Sequence, residues 1–522
     1  MNPTNGFDDD RFQKQKLVLV TGATGYVAGR LVPLLLESGY RVRTMGRSIE
    51  KMAGRSWGCH SSVELVKGDI MDIASLNRAV KGCGTVYYLV HSMISQKGKY
   101  RHADRTGARN MVRAAADQGA DHIIYLGGLG DITHNNISKH LLSRNEVAQI
   151  LKQGPVPVTV LRAAMILGSG SASFEILRYL AERLPVMITP KWVRMPTQPI
   201  AITNVLGYLK GCLEHPETRG KTFDIGGPDV VTYRDLFWIF REVAGLPKPV
   251  MIAVPVLTPK LSSLWIHLVT PVPAAIAQPL TEGLSLPTVC TETSIRKIIP
   301  QDLIDCREAI RRALDRVRRE QVDTCWTDAG AMIYPEWTHC GDSDYSGGTL
   351  LECGYRARVN GTARSLWSAI VRLGGRTGYY GADILWQIRG FFDVLAGGVG
   401  LNRGRRSKEH LQVGDALDFW RVLELDTPLK LLLVAEMKTP GEALLEIRVD
   451  PLDGHQCDLT LFSRFLPKGL PGILYWYGLY PFHQYVFVHM LKGIVKAAGL
   501  ELLSSPKRFT PKINRSCKTI DQ

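Results

Sequence analysis

Gly22 and Gly25, within Thr21-Gly22-Ala23-Thr24-Gly25-Tyr26-Val27-Ala28, follow a β-branched apolar run and precede an amphipathic stretch, RLVPLLLES. Glycines at this spacing let the backbone turn tightly and bring its amides close to an anion, and a helix that starts directly afterwards presents its positive end to the same point. The chemistry this suits is the cradling of a diphosphate, with Gly22, Ala23, Thr24, Gly25, Tyr26 and Val27 as contacts. Ala28 stands in the third glycine slot, where close helix packing tolerates alanine. A Gly-rich turn without a ligand is the competing reading, and the strand-to-helix context counts against it.

Further groups sit where such a ligand would extend. An acidic residue about 20 positions beyond the glycines would grip a ribose 2′-hydroxyl. Here the segment reads Met45-Gly46-Arg47-Ser48. Arg47 suits a 2′-phosphate and Ser48 can donate to it, so NADP(H) is favoured over NAD(H); the alternative is an ordinary surface arginine at a strand end. In Lys67-Gly68-Asp69-Ile70, Asp69 can accept from an adenine amino group, with Ile70 beside it. His91, in Val90-His91-Ser92-Met93, follows a strand whose C-terminus would face the cofactor crevice. Its plainer role is that of a hydrogen-bonded loop histidine.

These residues need a frame, and the sequence supplies one. KLVLVTG, RVRTMGR, VELVKGD, TVYYLVH, HIIYLGG and VTVLRAA read as strands separated by amphipathic helical patterns, which predicts a doubly wound parallel sheet of the α/β class. The pattern turns irregular and Pro-rich between Ser171 and about Pro300, as expected for a small substrate lobe.

TGATGYVAG, the GDI segment, DRTGARNMVRAAADQG leading into IIYLGGLG, VLRAAMILGSGSASF and FDIGGPDVVTYRDLF resemble an extended or atypical short-chain dehydrogenase/reductase over residues 16–300. The resemblance implies a Rossmann fold, nicotinamide dinucleotide binding in the glycine loop and a substrate pocket formed by the C-terminal lobe. It also exposes departures. Competent members carry a Tyr and a Lys four residues later on one helix face, and no Tyr here has a Lys at that spacing. At the matching helix start stand His140 and Arg144. Leu126-Gly127-Gly128-Leu129 replaces the expected Ser, and Asp104 appears where Asn is frequent. His140 and Arg144 share a face, and imidazole titrates near neutrality. His140 is therefore the candidate acid/base, and Arg144 the candidate for binding cofactor ribose or orienting substrate; a binding-only site is the alternative. SFEILRYLAERLPVMITPKWVRMPTQPIAITNVLGYL resembles a bacterial atypical group of unassigned function, which implies that Trp192 and Arg194 approach the pocket mouth.

The remainder divides into a basic helix and linker at 301–349, an α+β domain at 350–502 and a tail at 503–522, after a polar tail at 1–15. Leu303–Val322 has an apolar stripe opposite Arg307, Arg311, Arg312, Arg316, Arg318 and Arg319; this face is either solvated or docks to acidic lipid or nucleic acid. GGRTGYYGADILWQIRGFFDVLAGGVGLNRGRR, VGDALDFWRV, AEMKTPGEALLEI and FLPKGLPGILYWYGLYPFHQYVF resemble a bacterial domain of unknown function and the helix-grip folds of the START and polyketide-cyclase superfamily. DALDFWRVLEL, LKLLLVAEMK, ALLEIRVD and CDLTLFSRF read as antiparallel strands ahead of a long aromatic helix near 483–498, a sheet curved around a helix, and the resemblance implies an apolar ligand cavity between them. Trp367, Trp386, Trp420, Tyr475, Trp476 and Tyr477 either line it or form core. Arg403, Arg405, Arg406 and Lys408 form a basic loop, solvated or meeting a phosphate or headgroup. Asp415, Asp418, Glu436 and Glu446 are either acids or ion-pair partners.

Composition sets the outer bounds. The 522 residues suit two large domains, and 45% hydrophobic with 22% charged content excludes extensive disorder. A net charge of +15 favours an anionic partner without choosing one. The 10 cysteines form no C-x-x-C pair, which points to reduced thiols in a cytoplasmic chain and no metal centre. The uncharged stretches 261–280 and 469–490 are broken by prolines, so peripheral contact with the inner membrane face is open and spanning is not expected. No nucleic-acid motif is present. The expected function is an NADPH-dependent oxidoreductase acting on a small hydrophobic carbonyl or enone; the alternative is a nucleotide-binding scaffold or redox sensor with a lipid-like ligand domain.

Overall fold

A computed structural model describes residues 17–90, 100–130, 138–184, 186–189, 191–253, 274–284, 286–318, 350–401, 405–407, 409–452 and 455–509, with isolated residues at 263, 266, 270, 272, 324, 325 and 328. The chain divides into two compact units, Met1–Ala331 and Met332–Gln522.

The first unit is built on strands β1 (Leu17–Thr21), β2 (Val42–Gly46), β3 (Val63–Lys67), β4 (Cys83–Tyr88), β5 (His122–Gly128), β6 (Val158–Ala163) and β7 (Thr222–Ile225). Their order is β3-β2-β1-β4-β5-β6-β7, parallel throughout. All six strands expected from the apolar runs are present. Alternate residues of each strand serve opposite faces. Val18 and Val20 pack with α1 (Ala28–Glu37) and α7 (Ile202–Glu214), whereas Leu17 and Leu19 belong to the core shared with α3 (Ile73–Val80), α4 (Tyr100–Asp117) and α5 (Lys139–Lys152). With both faces covered, the strands read as continuous apolar runs. A short helix, α2 (Ile49–Ala53), follows β2.

The small lobe packs α6 (Ala172–Arg183) and α8 (Tyr233–Ala244) around Phe174, Leu177, Leu236 and Phe240. The basic helix assigned above to a connector, α9 (Cys306–Arg318), belongs to this lobe, because Ile310 and Leu314 bury against the same phenylalanines. Its cationic face is largely neutralised locally. Arg311 and Arg312 pair with Glu308 at 2.6 and 2.7 Å, and Arg307 pairs with Glu242 at 2.8 Å. This is the arrangement of a solvated face. Arg319 lies outside the described residues.

The second unit is α+β. Strands β8 (Leu351–Asn360), β9 (Ala416–Leu417), β10 (Trp420–Asp426), β11 (Lys430–Ala435), β12 (Gly441–Pro451), β13 (Gln456–Pro467) and β14 (Glu501–Leu502) form an antiparallel sheet in the order β9-β10-β11-β12-β13-β8-β14. β15 (Lys507–Phe509), placed by sequence in a tail, pairs with β8. Helices α10 (Ala363–Ile370) and α11 (Asp383–Leu395) follow β8, and α12 (Gly469–Ala497) packs Met490, Leu491 and Ile494 onto Val359, Leu459 and Leu461 of the sheet. α12 starts well before the expected 483. Pro471 lies in its first turn, where the missing N–H costs nothing, and Pro481 is accommodated inside. Trp367, Trp420 and Trp476 are core residues, Trp386 and Tyr475 are half-buried, and Tyr477 is exposed.

The polar residues left open by sequence turn out to be structural. Arg406 pairs with Asp415 at 2.9 Å, Arg421 with Glu436 at 2.6 Å and Arg448 with Glu446 at 2.6 Å. Asp418 accepts from the Tyr379 hydroxyl at 3.1 Å, and Arg405 donates to the Leu373 carbonyl at 2.8 Å. Arg405 and Arg406 thus turn into their own fold; Arg403 and Lys408 lie outside the described residues.

One buried imidazole in the first sheet has a pH consequence. His122 Nε2 lies 2.7 Å from the Thr159 hydroxyl, which donates onward to the Thr218 carbonyl at 2.8 Å, so Nε2 carries the proton. Burial pushes this imidazole down to about 4. The unfolded chain takes its proton first, at about 6.5. This contribution is therefore complete above that value and is lost as pH falls towards 4. Urea unfolding at pH 7 and pH 4.5 is expected to show a loss on the order of 2 kcal/mol that His122→Gln reduces.

Candidate functional site

The strand order reverses between β1 and β4, which opens a crevice at their C-terminal ends. Thr21 fastens this point: its hydroxyl donates to the Tyr87 carbonyl at 2.9 Å and accepts from the Leu89 amide at 3.1 Å. Gly22 follows at φ +65°, and a Cβ there would stand 3.2 Å from Val90 Cγ2 and 3.3 Å from the Leu89 carbonyl oxygen. Both the left-handed backbone and the lack of room call for glycine. The Ala23 amide reaches the Met45 carbonyl at 3.2 Å and the Gly25 amide reaches Gly22 at 2.8 Å, curling the loop into α1. Val27 occupies the helix N-cap and makes no side-chain cap. The Gly29 and Arg30 amides of the first turn already donate to the Gly25 and Val27 carbonyls at 2.9 and 3.1 Å, so an anionic diphosphate would meet the loop that leads into the positive end of the helix.

Ala28 is buried in the helix interface, as anticipated, but the tighter contact belongs to the next residue. A Cβ at Gly29 would approach Thr324 Cγ2 to 2.7 Å. Tyr26 contributes backbone only. Its ring packs under Arg30, 4.7 Å from the guanidinium, and burial pushes its phenol up to about 12.

At the end of β2, Arg47 is exposed and Ser48 caps α2, accepting from the Lys51 amide at 3.2 Å. The Ser48 hydroxyl donates to Glu50 at 2.6 Å, so its proton is already engaged by a carboxylate. Asp69 closes its own turn by accepting from the Met71 amide at 2.9 Å, and the Ile70 carbonyl accepts from Asn110 at 2.9 Å, with the Ile70 side chain buried. His91 lies outside the described residues, as does the side chain of Trp192; Arg194 is exposed.

Sequence reasoning missed a clamp over this loop. Arg30 donates to the Thr324 hydroxyl at 2.8 Å and to the Ser169 carbonyl at 2.7 Å, while Thr324 donates to the Tyr26 carbonyl at 2.9 Å. Four residues on, Asp328 pairs with Arg55 at 3.1 Å, and its carbonyl accepts from Lys51 at 2.8 Å. These buried cations beside α2 serve the fold. The only sequence signal was the polarity of the stretch, which reads as linker.

His140 and Arg144 lie on α5, whose N-cap Ser138 accepts from the Leu141 amide at 3.1 Å. Both side chains are half-buried. The Tyr125 hydroxyl donates to the Arg144 carbonyl at 3.1 Å, and the Arg144 guanidinium stands 5.8 Å from the Tyr125 ring. Buried Ser143 donates to buried Asp104 at 3.0 Å, which assigns Asp104 a structural role. Glu146 accepts from Arg105 at 2.7 Å and also from Arg101, and these cations hold its carboxyl down at about 2. α4 and α5 are thereby locked around the candidate pair. The last glycine of β5 is explained by the same packing: a Cβ at Gly128 would approach Leu141 Cδ2 to 2.8 Å and Arg144 Cγ to 3.9 Å.

With this geometry in hand, similarity to known proteins sharpens the class. Residues 22–178 match the NAD(P)H-binding family, and residues 346–490 match a protein family of unknown function, DUF2867. Cinnamoyl-CoA reductase 2 of Medicago truncatula is 24% identical, with 40% of this chain and 75% of that one covered. Cinnamoyl-CoA reductase 1 of Petunia hybrida is 28% identical over 22% of this chain and only 36% of its own length. Among solved structures, triphenylmethane reductase from Citrobacter sp. superposes with a TM-score of 0.47 at 22% identity, over 57% of this chain and 99% of that one. The first unit has a doubly wound Rossmann-like fold whose residues 22–178 are similar to the NAD(P)H-binding family, and residues 346–490 of the second are similar to DUF2867.

A serine placed at Gly128 tests the packing. Gly128→Ser is expected to cost about 1–3 kcal/mol through overpacking against Leu141. In a double-mutant cycle by urea unfolding, Leu141→Ala should relieve part of that cost, so the two changes are less than additive.

Proposed function

We propose that the first unit binds NADPH and reduces a small hydrophobic carbonyl or enone compound. The observation that carries this reading is the Gly22–Val27 turn at the β1/β4 switch point, closed to any Cβ at Gly22 and opening into a helix start without a side-chain cap. NADPH is preferred over NADH because Arg47 stands exposed at the end of β2 and no acid occupies positions 45–48. Asp69 and Ile70 would border the adenine. When bound, NADPH supplies a hydride to the electrophilic carbon of the substrate. His140 gives the balancing proton, to the oxygen of a carbonyl or to the α-carbon of an enone, and Arg144 on the same face holds the substrate or the ribose. The relatives above are reductases by name, in keeping with this direction. The second unit, an antiparallel sheet on a long helix, would retain the apolar compound in the manner of helix-grip domains.

A scaffold or redox-sensor reading, in which NADPH is held without turnover, has one observation in its favour. A Cβ at Gly128, within the Leu126–Leu129 segment that replaces the expected serine, would stand 2.8 Å from Leu141 Cδ2.

Calorimetry with NADPH and NADH, followed by turnover on a panel of hydrophobic aldehydes, ketones and enones, separates the readings. Arg47→Ala is expected to weaken NADPH about tenfold and leave NADH unchanged, a loss of about 1.4 kcal/mol. His140→Ala should cut turnover by about 10²-fold or more while NADPH affinity is retained. Tight NADPH binding with no oxidation across the panel would favour the scaffold. Absence of heat with either coenzyme on folded protein would overturn both readings.

A further inference from the structure

The second unit turns two apolar helix faces outward. On α11, Ile384, Ile388, Phe391, Phe392 and Leu395 share one face and are between 48% and 72% exposed. On the first half of α12, Leu470, Leu474, Tyr477, Phe482 and Tyr485 are between 50% and 66% exposed. α11 and the segment just before it touch α12. Arg389 Nε donates to the Tyr475 hydroxyl at 3.2 Å, and a Cβ at Gly381 would stand 2.9 Å from the carbonyl carbon of His489. A soluble domain seldom leaves contiguous apolar surface beyond a few hundred Å² without a use for it.

The charges around these faces indicate what covers them. No Asp, Glu, Lys or Arg occurs from Gly469 to Leu491. Asp393 of α11 is buried and accepts from the Gly400 and Lys438 amides at 2.8 and 2.6 Å. Cations border the pair of helices: Arg389 between them, exposed Lys438 whose carbonyl accepts from Arg389 at 3.3 Å, and Arg508 stacked 5.2 Å from the Tyr480 ring. Lys468 stands exposed at the start of α12, 3.0 Å from Glu442. Asp383 is the one exposed acid on α11 and lies at its first position.

We propose that α11 and the first half of α12 form a surface that lies in the headgroup and acyl boundary of an anionic bilayer. Phenylalanine and tyrosine rings suit that boundary, basic neighbours meet the lipid phosphates, and the chain's net charge of +15 draws it to the surface. A second copy fits less well, because a two-fold pairing of these faces would set one basic rim against the other. Among the described residues no helix is long and apolar enough to cross a membrane, so the contact is in the plane.

Sedimentation of the full chain with vesicles of phosphatidylcholine alone, or with about 30% phosphatidylglycerol, tests this. The chain is expected to bind the anionic vesicles and to release as salt rises. Phe391→Ser with Phe392→Ser, and independently Leu474→Ser with Tyr477→Ser, should each lower binding by about tenfold or more with the thermal unfolding midpoint unchanged, since these side chains are exposed. Trp238→Ser, an exposed apolar residue of the first unit, should leave binding unaltered. The proposal is overturned if the chain ignores anionic vesicles, binds both compositions equally, or keeps full binding in both double variants. It is equally overturned if light scattering shows a dimer that the variants convert to a monomer.

Discussion

The first unit depends on one crowded junction, where the end of β1 meets the end of β4. Thr21 bridges the two strands through its hydroxyl, and Gly22 then turns with a left-handed backbone against Val90 and Leu89. The left-handed, crowded position suits glycine, and the chain curls from it into α1, whose start faces the crevice. The parallel sheet makes the crevice by reversing its strand order at that point, and the glycine turn makes it receptive to an anion. The Thr324–Asp328 clamp reinforces the junction from behind, tying the loop carbonyl of Tyr26, Arg30 and the basic residues beside α2 to a single crossing segment.

The candidate catalytic edge shows a fold-level consequence of a packing choice. Leu141 sits so close to β5 that positions 128 and 130 have little room for side chains, and the buried Ser143–Asp104 bond and the Glu146 ion pairs hold α5 in that place. His140 and Arg144 are the candidate pair on that helix, both half-buried.

Two kinds of helix coexist in the second unit. The latter half of α12 follows the usual rule and buries Met490, Leu491 and Ile494 against the sheet. Its first half and α11 reverse that rule, with rings and branched aliphatics facing out beside cations. Periodicity alone cannot distinguish these cases, because an amphipathic stripe reads the same whichever way it points.

The sequence by itself determined the strands of the parallel sheet, the glycine turn and the place of His140 and Arg144, because these depend on local period, on backbone freedom and on i to i+4 geometry. The second unit's antiparallel strands were legible for the same reason. Tertiary structure decided what depends on partners distant in the chain. It gave the basic stripe of α9 to a solvated lobe helix, paired Arg406 and Arg421 internally, and brought Asp328 across more than two hundred residues to Arg55. A polar side chain carries no mark of which partner it will meet. Only the folded chain, which must satisfy each buried charge, makes that choice.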